Sequence, residues 1–289
     1  MSKILQALKN KYENEQSQYI KIDGTHIHFR DEGSADKPVL ILIHGVLSSL
    51  HTWDGWVAAL SDHYRLIRMD IPGFGLTGPA QQPDYSPEYA ADFCEQFTQT
   101  LGIEDGFYLA GNSLGGFLSW NYAAKYPDRV AKLVLLDPIG YPQKIPALIK
   151  LVLSPLVKSA AKRVAPRLLV DKGVREVYGN PRKITRTTFD LYNDMLKRPG
   201  NRASMVDVLE AMTFYADHPT LKNKIREIKA PTLMLWGRKD RWVPIHLLEH
   251  WLMDLHTKVE HVIYEGVGHI PMEEIPEMSA RDAHNFLQA

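Results

Sequence analysis

The chain has a single cysteine, no net charge, and no apolar run near the roughly 18 residues that a membrane-spanning helix needs. One cysteine, Cys94, excludes an internal disulfide and fits a reducing compartment. It lies in the helical stretch SPEYAADFCEQFTQTLG and reads as a packing residue. Lys and Arg number 34, as do Asp and Glu, so nothing in the overall charge suggests a nucleic-acid partner. The opening segment MSKILQALKNKYENEQ lacks the apolar core of roughly 7–15 residues found in a secretory signal, and the expected compartment is the cytoplasm. There is no phosphate loop, dinucleotide fingerprint, metal-ligand spacing or internal repeat, so neither a cofactor nor a metal is expected.

What is present is an alternation of strands and helices. Two β-prone runs, YIKID and THIHFRDE, flank Gly24 and predict a hairpin. Apolar strands follow at 39–45, 64–73, 106–110, 130–138, 231–237 and 260–266. Helices are expected near TWDGWVAAL, from Ser86 to Leu101, after Ser113, over 245–255 and over 277–288. Near-continuous apolar strands separated by helices imply a mostly parallel sheet covered on both faces, an α/β fold. Residues 139–229 break the rhythm. They read as several helices, with IPALIKLVLSPLV and SMVDVLEAMTFYA the most periodic, and carry 18 Lys and Arg against 8 Asp and Glu. The predicted division is a core of 1–138 and 230–289 with an inserted helical cap over 139–229. The cap's basic charge either solvates an outer face or gives a weak contact to a lipid surface. Ile4, Leu5, Leu8 and Tyr12 line one face of a short N-terminal helix expected to pack on the body.

The stretch LAGNSLGG places Ser113 between Gly111 and Gly115, where a strand turns into a helix. Side chains flanking a strained turn would collide, and this G-x-S-x-G pattern is the nucleophile elbow that lifts a hydroxyl above a sheet. Ligands of open α/β sheets bind beyond the carboxyl ends of the strands. The residues found there are His44, Gly45 and Val46, then Ser113, Asp137, Asp240 and His269. A serine, two aspartates and a histidine therefore share one predicted edge.

The order Ser113, Asp240, His269, with HG at 44–45, GNSLGG, WGRKDRWVP and GHIPMEE, resembles the α/β-hydrolase fold family from about residue 19 to 288. The motifs are most similar to bacterial esterases and monoacylglycerol-lipase-like enzymes with helical caps. The resemblance implies an eight-stranded sheet and no cofactor. It also implies a triad in which His269 takes the Ser113 proton and Asp240 orients the imidazole. The backbone N–H groups of Val46 and Leu114 would form the oxyanion hole. Asp137 is the alternative acid, since some members of the fold place theirs after the sixth strand. His44 reads as a residue shaping the oxyanion loop, and Asp70 and Asp54 as loop-capping carboxylates.

The implied function is hydrolysis of a small carboxylic ester of short to medium acyl chain. The alternative is cleavage of a carbon–carbon bond in a ring-cleavage diketone, by relatives that share GNS-x-GG and WGR-x-DR-x-VP. Those enzymes usually carry Trp after the histidine, where this chain has Ile270, a departure that favours esters. A binding module that has lost its chemistry is the third reading, disfavoured because every triad position is filled.

Overall fold

The computed structural model describes residues 2–216 and 221–289. Helix α1 (Lys3–Tyr12) leads into strands β1 (Ser17–Ile22), β2 (Thr25–Glu32) and β3 (Val39–Ile43), then α2 (Asp54–Leu60), β4 (Arg65–Met69), α3 (Pro87–Thr100), β5 (Phe107–Asn112), α4 (Leu114–Lys125) and β6 (Val130–Leu136). Six helices follow: α5 (Ala147–Leu153), α6 (Pro155–Ala161), α7 (Arg167–Val177), α8 (Arg186–Met195), α9 (Asn201–Ala216) and α10 (Leu221–Ile225). The chain then completes the sheet with β7 (Thr232–Gly237), α11 (Leu248–Asp254) and β8 (Val259–Tyr264), and closes with α12 (Pro271–Glu274) and α13 (Pro276–Gln288).

The eight strands form one sheet in the order β1-β2-β4-β3-β5-β6-β7-β8. Strands β3 to β8 run parallel, and the β1–β2 hairpin adds antiparallel to β4, as the α/β reading predicts. Asp23 and Gly24 both adopt positive φ in the hairpin turn, the conformation that a two-residue Asp-Gly connection favours. Strand periodicity splits the core in two. Ile41 and Ile43 of β3, with Met234 and Trp236 of β7, face the α3–α4 layer. Leu40, Leu42, Leu233 and Leu235 face α2, α12 and α13. The indole of Trp56 donates to Ser279 Oγ at 2.9 Å and so ties α2 to α13.

Several sequence boundaries shift for identifiable reasons. The strand expected over 64–73 stops at Met69, because Asp70 turns inward to accept the N–H groups of Leu50 (2.8 Å) and Leu76 (2.7 Å). Asp54 instead pairs with the buried Arg68, whose guanidinium also forks onto Glu32. The expected single helix IPALIKLVLSPLV is two helices, α5 and α6. Pro155 forces Ser154 into an extended conformation (φ −62°, ψ 143°) and breaks the ladder there. Helix α1 packs by Leu8 against Leu76 and Met195, while Ile4 remains exposed.

Consecutive strands add first on one side of β3 (β4) and then on the other (β5), so the chain switches direction at β3. The crevice at such a switch point lies at the carboxyl ends of β3 and β5, where the loops carrying Val46 and Ser113 begin. Helix α4 comes against β3 so closely that a Cβ on Gly115 would overlap the carbonyl oxygens of Ile43 and His44. We therefore expect Gly115→Val to cost about 3 kcal/mol through backbone displacement. A variant that melts at the wild-type temperature would show that this approach is not required.

Candidate active site

Among the described residues four non-glycine positions have positive φ, and three of them, Leu47 (65°), Ser113 (55°) and Asp137 (45°), stand at the carboxyl edge of the sheet. Each such residue stores about 1–3 kcal/mol that its surroundings must hold in place, and such strain gathers at functional sites. At Ser113 the restraints are visible. Its N–H donates to Leu136 O (3.0 Å), while its carbonyl accepts from Phe117 (3.0 Å) and Ile139 (3.3 Å). Leu114 opens helix α4, and its N–H has no acceptor among the described residues; the same holds for Val46 N–H. An amide N–H without a backbone partner at the first turn of a helix carries partial positive charge.

His269 is buried, and its Nδ1 lies 2.6 Å from Asp240 Oδ2. Asp240 Oδ1 accepts the N–H groups of Trp242 (2.7 Å) and Val243 (3.0 Å), which fixes the carboxylate and keeps Oδ2 for the ring. With Nδ1 donating, Nε2 carries the lone pair, and it has no partner among the described residues. Asp240 and His269 are thus brought together directly. Ser113 shares a cavity with His269 but no hydrogen bond joins them.

Three residues without a role in the sequence reading hold the histidine loop. Asn112 Nδ2 donates to Leu136 O (3.1 Å) and His269 O (2.9 Å), linking β5, β6 and the loop. The Glu274 carboxylate collects the N–H groups of Gly268 (2.9 Å), Gly179 (2.8 Å) and Asn180 (2.8 Å). Glu273, also buried, accepts from Thr52 (2.8 Å), Tyr178 (2.5 Å) and Tyr192 (3.0 Å). Burial raises the Glu273 pKa, and the three hydroxyls offset that only in part. Both glutamates belong to the motif GHIPMEE, and apart from Gly268 their partners lie some 80 to 220 positions away and could not be read from it.

His44 also has a structural place. Its Nδ1 contacts Gly45 O (2.7 Å) and its Nε2 accepts from Ile71 N–H (3.1 Å), so the ring clamps the loop before Val46. Burial lowers its pKa and keeps it neutral, as that pattern of one donor and one acceptor requires. Asp70 lies within 3.9 Å of the same ring, and its pKa is lowered: burial opposes its charge, but the hydrogen bond with the His28 ring (2.7 Å) outweighs that.

Asp137 packs beside the Asp240–His269 pair, with the ligating atoms of all three within 4.8 Å of one another. Its Oδ1 accepts from Gly237 N–H (3.0 Å), and its Oδ2 has no donor. Burial, and then the adjacent Asp240 charge, push the Asp137 carboxyl well above the usual carboxylate range. A proton on the orphaned oxygen resolves both the missing partner and the like-charge contact.

Ser113, His269 and Val46 line a cavity of about 310 Å³. Its other walls come from α5–α7 and α9, with Leu148, Ile149, Val152, Val157, Val170 and Leu209 prominent, and from Trp242 and Ile270. Trp242 stacks on the His269 ring at 6.1 Å. Leu114 lines a second, smaller cavity and is not among the residues that line this one.

The chain as a whole has counterparts among known proteins. The chain is 31% identical over 242 residues, 79% of its length and 81% of the relative's, to a 2-hydroxy-6-oxononadienedioate/2-hydroxy-6-oxononatrienedioate hydrolase of Paraburkholderia phymatum. The family profile described as the alpha/beta hydrolase fold matches residues 38–176. The chain belongs to the α/β-hydrolase fold family. This hydrolase is also 26% identical to Lipase 1 of Psychrobacter immobilis, with 98% of this chain and 87% of that one covered. Among solved structures it superposes on a membrane phospholipase A described as a bacterial virulence factor, with a TM-score of 0.81, 25% identity, and coverage of 99% of this chain and 90% of that one. No helix among the described residues of the α/β-hydrolase is long and apolar enough to cross a membrane.

The Asp137 environment generates a pH test. A carboxyl whose folded pKa is raised costs stability progressively as pH climbs past the unfolded value of about 4 towards the folded one. In Asp137→Asn the amide keeps an acceptor for Gly237 and a donor for Asp240 without that cost. The melting temperature of the variant relative to the wild type should therefore rise as the pH climbs above about 4. A difference independent of pH would mean that Asp137 is ionised in the folded protein.

Proposed function

We propose that this α/β-hydrolase is a serine esterase acting on neutral carboxylic esters of short to medium acyl chain, monoacylglycerols included. Ser113 Oγ attacks the ester carbonyl while His269 Nε2 accepts its proton, and Asp240 stabilises the resulting imidazolium. The N–H groups of Val46 and Leu114 receive the oxyanion. The protonated His269 then gives its proton to the departing alcohol, leaving an acyl group on Ser113. Water enters, surrenders a proton to His269 and releases the acid. Residues 139–229 act as the cap over this site, on a core of 1–138 and 230–289.

The observation that carries the choice of substrate is the chemistry of the cavity wall. Apart from His269, no lining residue carries an ionisable acid or base except the Tyr192 phenol, and neither Lys nor Arg is present. A dioate of the kind that the Paraburkholderia relative's name specifies would enter with two carboxylates and meet no cation. An unpaired carboxylate in an apolar wall costs several kcal/mol, whereas each buried methylene contributes about 0.8 kcal/mol. The wall therefore supports an uncharged acyl chain. A carbon–carbon hydrolase would use the same triad, and the identity to the dioate hydrolase keeps it as the second reading.

On p-nitrophenyl esters, kcat/KM should climb from acetate through butyrate to octanoate, by up to about fourfold per methylene. Rapid turnover of a ring-cleavage diketone with flat ester rates would instead establish the carbon–carbon hydrolase. Ser113→Ala should abolish turnover of either substrate in a folded protein, since Ala adds no strain to that which Ser113 already bears at the elbow. Asp240→Asn should lower kcat by about four orders of magnitude through the wrong imidazole tautomer. Activity retained in Ser113→Ala would move the nucleophile elsewhere.

A further inference from the structure

The cap helices that wall the cavity also carry apolar side chains on the outside. Leu156 is 95% exposed, Leu168 83%, Val164 60% and Leu151 45%. A leucine costs little singly on a surface, but these four fall within one segment, α5 to α7, whereas other large apolar side chains left exposed among the described residues, such as Ile4, Phe214 and Met253, are spread over α1, α9 and α11. Leu151 and Val164 do double duty: they are exposed and also line the cavity that holds Ser113 and His269. They therefore mark its mouth. Leu156 and Leu168 are adjacent in sequence to the lining residues Val157 and Leu169, yet do not line the cavity themselves. The apolar patch is continuous with the entrance to the site.

Charge surrounds this mouth. Residues 144–175 hold eight Lys and Arg against one acid, Asp171. Lys158, Lys162 and Arg167 are partly neutralised by Glu210, Asp207 and Asp190. Exposed Lys150 and Arg163 have no carboxylate partner among the described residues. An apolar patch rimmed by cations has the chemistry of a surface that sits at a lipid interface, with leucines in the acyl boundary and cations at anionic headgroups.

We propose that the α5–α7 face docks on an anionic lipid bilayer and that acyl substrates pass from the bilayer into the cavity between Leu151 and Val164. This rests on the ester reading for the substrate but not for the docking itself. A chain that leaves the bilayer there never crosses water, so the hydrophobic gain on entering the cavity is not opposed by a step of exposure. A second copy of this chain is the competing occupant. The charge argues against it, because two such basic faces brought together would repel each other.

The test uses the full chain and vesicles of phosphatidylcholine with and without phosphatidylglycerol, at low and high salt. Binding should favour phosphatidylglycerol and weaken with salt. Leu156→Asp/Leu168→Asp should lower the bound fraction at least about tenfold on those vesicles. Lys150→Glu/Arg163→Glu should abolish the preference for the anionic lipid. All three proteins should hydrolyse soluble p-nitrophenyl butyrate within about twofold of one another, because none of the four residues lines the cavity. Wild-type binding that ignores phosphatidylglycerol, or an Asp variant that binds as the wild type does, overturns the docking proposal. So does a wild-type dimer that the Asp variant dissociates in sedimentation, which assigns the patch to a second copy. Loss of soluble-ester turnover in the wild type would instead refute the esterase reading, and the vesicle result would stand by itself.

Discussion

The contact on which this structure turns is the approach of helix α4 to strand β3. Two glycines make it: Gly111 meets the backbone of Gly115, and Gly115 meets the carbonyl oxygens of Ile43 and His44. With no side chain between them, the first turn of α4 lies against the switch point of the sheet. Ser113 is left with the positive φ that the tight turn imposes, and its hydroxyl stands at the crevice. The same approach sets the start of α4, with the N–H of Leu114, against the end of β3, from which the loop carrying Val46 continues.

Around that turn the protein buries an unusual concentration of carboxyl groups, and each has its own compensation. Asp240 has two backbone N–H groups and an imidazole. Glu274 has three backbone N–H groups, and Glu273 three hydroxyls. Asp137 has one N–H, and burial followed by the Asp240 charge shifts its carboxyl towards the protonated form. Removing any one partner would leave a buried polar group unsatisfied, which costs about 1–3 kcal/mol and more for a charge. The glutamates also join parts of the chain that the sheet does not connect. Glu274 fastens the histidine loop to residues 179–180, and Glu273 fastens Tyr178 and Tyr192 to the core. The position of His269 thus depends on the helices between β6 and β7 as well as on β8.

Those helices present two surfaces to different solvents. Inward, aliphatic side chains from α5, α6, α7 and α9 enclose a cavity with almost no polar wall. Outward, leucines of the same segment stand in the open among cations. Pro155 makes this division workable: by breaking the run into α5 and α6 it lets apolar residues of one continuous stretch face both ways. A single straight helix would have offered one apolar stripe.

The sequence alone determined the alternation of elements, because strand and helix periods are local properties of the chain. The apolar runs predicted the six parallel strands, the Asp-Gly turn the hairpin, and the glycines about Ser113 the elbow. Chain order put Ser113, Asp137, Asp240 and His269 at one edge, since each directly follows a strand of a parallel sheet. Burial and partnership were not legible. Whether Asp137 or Asp240 meets the imidazole depends on side-chain directions set by the twist of the sheet and by the N–H groups of Trp242 and Val243. Apart from Gly268, the partners of Glu273 and Glu274 are distant in sequence, so no local pattern could show them. The break at Pro155 was readable in principle from the extended preference of the residue before a proline, but the apolar periodicity running through it hid the break. Which leucines of that run line a cavity and which meet water was decided by packing against α7 and α9, because an isolated amphipathic segment has no inside until a second surface covers it.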